Sequence, residues 1–99
     1  MVKKEDAVRY LEDVPVEKAF WVNNGPVLKN LYELGDALQN MSDETYMHHA
    51  NKEKNDFSKW VDEVVGDNRL AKDLLSARNK ESAFNKVSKR AEALGRKVG

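Results

Sequence analysis

The chain has 99 residues, enough for one domain with one core, since a chain of this length buries roughly 65% of its unfolded surface without staples. Seventeen Lys and Arg balance seventeen Asp and Glu, which excludes a uniformly basic nucleic-acid coat and an acidic disordered tail. The absence of cysteine excludes disulfides, thiolate metal sites and thiol nucleophiles.

No apolar run reaches the 18 residues that a membrane span requires. The opening Met1-Val2-Lys3-Lys4-Glu5-Asp6 turns acidic at once and has no apolar stretch of the kind a secretion signal needs. The expectation is a soluble domain of the cytoplasm with no membrane partner.

The first segment, Lys3 to Val14, places Ala7, Val8 and Leu11 on one helical face. Pro15 ends it, because the residue before proline avoids the α region. A helix this short is marginal alone and must dock or fray. In Ala19 to Leu28, Phe20, Trp21 and Val22 are strand formers. Asn24-Gly25 is a tight-turn signal, and Pro26 limits any second strand to a short edge. The segment predicts a small hairpin or an extended arm.

Asn30 is placed to cap a helix whose inner stripe is Leu31, Leu34, Leu38 and Met41. Gly35 interrupts that helix, and a close helix approach would explain it. Ser42 caps a two-turn helix through Tyr46 and His49. After the polar run 51–55, Asn55 or Asp56 caps the clearest amphipathic pattern, Phe57, Trp60, Val61, Val64 and Val65, which Gly66 ends. Asp67 caps the next helix, with Leu70, Ala71, Leu74 and Leu75 as its core face. The last helix starts near Asn79 or Ser82. Phe84, Val87, Ala91 and Leu94 form its inner face, Val98 is a candidate fifth position, and Gly95 is a candidate early stop. The expected architecture is mainly α: four to five short helices round one core, with a hairpin or arm near residues 19–28. The expected core is Phe20, Leu31, Leu34, Leu38, Phe57, Trp60, Val61, Val64, Leu70, Leu74, Phe84 and Val87. All of residues 1–99 belong to one domain, with residues 1–15 as an N-terminal helix and residues 79–99 as a basic C-terminal helix.

No nucleophile motif, phosphate loop, cofactor signature or metal-ligand spacing is present, so no catalytic residue, cofactor or metal is assigned. His48 and His49 are adjacent and point about 100° apart on a helix, which does not suit one metal. Two surfaces are candidates for binding. Trp21 faces away from Phe20 and Val22, and is either an exposed platform or the cover of a second cluster with Tyr32 or the first helix. The second candidate lies in the charge distribution. Residues 1–77 carry 10 basic and 15 acidic side chains, and residues 78–99 carry seven basic and two acidic. Lys86, Lys89, Arg90, Arg96 and Lys97 fall away from the apolar stripe as a basic outer face. The leading expectation is a non-catalytic interaction module working through that face, with a protein or ribonucleoprotein partner. Nucleic acid is the alternative ligand there, although a few cations hold phosphate weakly at physiological salt. The opposed halves also permit head-to-tail self-association.

The run Phe20-Trp21, Asn24-Gly25, Met41-Ser42-Asp43-Glu44-Thr45-Tyr46, His49, Asn55-Asp56-Phe57, Trp60-Val61, Gly66-Asp67 and Leu70-Ala71 resembles a family of small archaeal and bacterial domains of unknown function. The resemblance covers residues 18–76. It implies a helical domain and leaves activity open. Some bacterial members occur near carbohydrate-active enzymes, which implies a carbohydrate-associated accessory role as a further alternative. Within the shared run, His49 can reach Asn55 and Asp56 across the polar connection, a structural clasp between two helices. A pair with Asp56 is expected to favour a charged ring.

Overall fold

The first helix is shorter than its apolar spacing predicts. In the computed structural model, which describes residues 2–99, α1 spans Lys4–Leu11 and ends three residues before Val14. Val14 is drawn out of the helix because its N–H donates to the Lys29 carbonyl at 2.8 Å. Pro15 instead starts a 3₁₀ turn, Val16–Lys18.

The hairpin is present and small. β1 (Phe20–Trp21) pairs antiparallel with β2 (Val27–Leu28), with Phe20 opposite Leu28 and Trp21 opposite Val27. Asn24 takes the left-handed conformation at φ 57°, as the turn signal requires. Gly25 does not use positive φ. Its need is space: a Cβ there would lie 2.8 Å from Val22 Cγ1.

Among the described residues there are six α-helices, more than the four to five expected. α2 (Leu31–Asn40) is capped by Asn30, whose side chain accepts from the Glu33 N–H, while Glu33 accepts from the Lys29 N–H at 2.7 Å. α3 (Asp43–His49) is capped by Ser42, and α4 (Asp56–Trp60) by Asn55. α4 runs on into a π turn, Val61–Val65, in which the Gly66 N–H bonds five residues back to Val61. The wide turn buries Val65 and leaves Val64 half-buried. Gly66 closes it at φ 92°, a conformation suited to glycine. α5 (Asn68–Leu75) is capped by Asp67, and α6 (Lys80–Val98) by Asn79. Gly95 does not stop α6.

α6 is the central element. It packs against α1, α2 and α5, so the short α1 is held by docking. Ala7, Leu31, Leu34, Leu38, Val87 and Leu94 meet in this part of the core. Of the expected core, Phe84 and Val64 are only half-buried, and the rest are buried. Leu75 is a correction: it is 66% exposed, because it follows Leu74 round the edge of the α5 stripe. Among the described residues no helix is long and apolar enough to cross a membrane.

Candidate functional site

The hairpin and the start of α4 meet at an aromatic cluster. The Phe20 ring stacks on Phe57 at 5.1 Å and meets Trp60 edge-on at 5.9 Å. Tyr46 stacks on the other side of Phe57 at 5.7 Å, and burial pushes its phenol above the usual range. The Trp60 indole N–H donates to the Lys18 carbonyl at 2.8 Å and fixes the approach to β1.

His49 sits inside this cluster, 6% exposed. Its Nδ1 lies 3.0 Å from Asp56 Oδ2, so the clasp between α3 and α4 is present. Its Nε2 accepts from the Asn23 backbone N–H at 3.0 Å, a contact that the sequence does not announce. A backbone N–H can only donate, so Nε2 is bare and the ring carries its proton on Nδ1. The expected charged ring is therefore not the form that this geometry holds. Burial pushes the Asp56 carboxyl up, but hydrogen bonds from His49 and Lys54 and the Lys54 charge outweigh it and hold the carboxyl below its ordinary range. Asn55 adds a second tie. It caps α4 and donates to the Leu74 carbonyl at 3.1 Å.

Trp21 is 73% exposed, while Phe20 and Val22 beside it are buried. Of the two placements expected for Trp21, exposed or covering a second cluster, the fold adopts the exposed one. Val27, its cross-strand partner, is 39% exposed. A groove of about 520 Å³ lies between the hairpin and α2, with Val22, Val27, Leu28, Glu33 and Asp36 among its walls. A larger open groove of about 1130 Å³ runs between the α3–α4 connection and the α5–α6 link, past the exposed Met47 and Leu75.

The five cations expected on the outer face of α6 do not form one free face. Arg90 is turned inward, where its Nε and Nη2 donate to both oxygens of Asp67 at 2.7 and 2.8 Å. Asp67 is 1% exposed. The bidentate bond outweighs burial and holds the Arg90 guanidinium above its ordinary range. Arg96 pairs with Glu92 one turn back at 2.7 Å. Lys86 is half-buried on the flank it shares with Arg90, and Lys89 and Lys97 are exposed. The signal for Arg90 lay in the wheel: it stands nearer the apolar stripe than Lys89 does. Lys80, at the start of α6, donates to the Met41 carbonyl at 2.8 Å, placing a cation at the end of α2.

Among the described residues, no group of three or more His, Asp or Glu is placed to hold a metal ion. Comparison with family models, with curated proteins and with solved structures finds no match.

Proposed function

We propose that this protein is a non-catalytic interaction module whose working surface is the hairpin carrying Trp21. The observation that carries the reading is the exposed indole on a strand anchored from beneath. Phe20 in the aromatic cluster, the Trp60 bond to Lys18 and the His49 bond to Asn23 fix the backbone on both sides of Trp21. A large rigid side chain presented this way loses little entropy when a partner covers it, and tryptophan is enriched among residues that dominate interface energy. The non-catalytic part is supported by His49, whose two ring nitrogens are both engaged within the fold and leave none free to act as a general base there.

The basic α6 face is the second reading, for nucleic acid or a ribonucleoprotein. Lys89 and Lys97 support it as exposed cations, and Arg90 is spent within the fold. A carbohydrate-associated role is a third, resting on the family resemblance and on an indole that suits a sugar ring. Binding is measured at low and high salt for wild type, Trp21→Ala and Lys86→Glu/Lys89→Glu/Lys97→Glu. Loss in Trp21→Ala, with resistance to salt and to charge reversal, supports the hairpin. Loss with salt and in the triple variant moves the working surface to α6. Trp21 fluorescence quenched by oligosaccharide, and by no protein, selects the carbohydrate role.

A further inference from the structure

We propose that His49 is a proton-operated latch on the tip of the hairpin. One ring joins three segments. Nδ1 holds Asp56 at the start of α4, Nε2 holds the Asn23 N–H at the start of the turn, and the backbone belongs to α3. The two contacts respond to a proton in opposite ways. A proton on Nε2 places an N–H against the Asn23 N–H, and that bond is lost. The same proton turns the Nδ1 contact into an ion pair with Asp56, so the α3–α4 clasp tightens.

The groups round the ring are few. Asp56 faces it from α4, with Lys54 bonded to the same carboxylate oxygen at 3.1 Å. The His48 ring stands edge-on to it at 4.9 Å on α3, and the Phe20 and Phe57 rings cover its sides. Residues 20–28 of the hairpin contain no titratable side chain.

The latch governs the tip and leaves the base in place. Phe20 stays in the aromatic cluster, Trp60 still holds Lys18, and Val14 still pairs with Lys29. The contact released is the one at Asn23, and the turn keeps its own bonds, Gly25 N–H to the Val22 carbonyl at 3.0 Å and Val22 N–H to the Pro26 carbonyl at 3.1 Å, so Asn23 to Pro26 shift as one piece. They include Asn24, in its left-handed conformation, and Asn24 to Pro26 line one wall of the groove beside α2. A proton on His49 therefore reshapes that groove while the helical core stays folded. This holds whatever the hairpin binds, because no partner enters the argument.

The test is nuclear magnetic resonance from pH 8 to pH 4.5 on wild type, His49→Gln and His48→Gln. The His49 ring is expected to carry its hydrogen on Nδ1 at pH 8. As that ring takes its second proton, the protection of the Asn23 amide against hydrogen exchange is expected to fall about tenfold or more, while amides within α2 and α6 keep theirs. His48→Gln keeps the transition, and His49→Gln removes its pH dependence. Where His49→Gln does not fold, the wild-type midpoint decides, since it must follow the His49 ring and not the His48 ring. The latch is overturned by hydrogen on Nε2 at pH 8, by a ring that stays neutral throughout, or by Asn23 protection that is unchanged as His49 titrates.

Discussion

Arg90 and Asp67 show how far one side chain can depart from the face its sequence neighbours suggest. Removing one partner of a buried ion pair strands the other, and the cost depends on which is stranded. Arg90→Met leaves the Asp67 carboxylate, 1% exposed, with its charge unanswered, and is expected to cost about 3–5 kcal/mol in urea unfolding. Asp67→Asn is expected to cost less. Asparagine still caps α5, and the Arg90 side chain, 16% exposed, can turn towards water. Equal losses in the two variants would contradict this order. Asp56 gives a pH dependence of definite sign. Its folded carboxyl titrates below the ordinary value of 3.8, so on acidification the unfolded chain takes the proton first. The stability its bonds supply is full above about pH 4 and fades as pH falls through the folded value, about 1 kcal/mol in all. The stability gap between wild type and Asp56→Asn should therefore close in acid, and a gap unchanged down to about pH 2.5 would contradict it. The His49–Asp56 clasp was legible because both partners lie within one turn-and-return of chain. The Asn23 contact was not, because a backbone donor has no signature, and although Arg90 stands near the apolar stripe, its partner Asp67 across the fold leaves no local spacing.

Within the helices, capping was the most legible layer. Asn30, Ser42, Asn55, Asp67 and Asn79 each accept from the N–H three residues on, because short polar side chains have that reach and few other places to put it. Helix ends were less so. α1 stops early for the Val14–Lys29 bond, and the π turn after α4 repeats no pattern, since five-residue hydrogen bonding depends on where Gly66 must arrive. Gly35, inside α2, and Gly66, at the end of the π turn, separate these influences. A Cβ at Gly35 would meet Val87 Cγ1 at 3.6 Å, an ordinary contact, so the approach of α6 does not demand glycine there. Gly35→Ala is expected to stabilise by up to about 1 kcal/mol, through the conformational freedom the unfolded chain loses. Gly66→Ala has room beside Tyr10 and is still expected to destabilise by about 1–2 kcal/mol, because φ of 92° disfavours any Cβ. Thermal unfolding of the two variants should move in opposite directions.

For the molecule as a whole, net charge and charge arrangement lead to different expectations. The formal net charge is zero at pH 7 and the sequence pI is about 6.7, so near neutrality little overall repulsion keeps copies apart. The charges are also segregated. Residues 30–51, which span α2 and α3, hold Glu33, Asp36, Asp43 and Glu44 with no Lys or Arg among them. Part of the excess on α6 is answered internally by Asp67 and Glu92, and Lys89 and Lys97 remain outward. An acidic patch on one copy facing cations of the next is a head-to-tail contact, which does not close on itself as a two-fold dimer does. The expected result is association near pH 6.7 at low ionic strength that grows past the dimer with concentration. It should dissolve as salt shortens the screening length to about 8 Å at 0.15 M. Light scattering over pH and salt checks this. A discrete dimer that survives salt would mean that an apolar surface, with the Trp21 face first among them, joins the copies in place of charge.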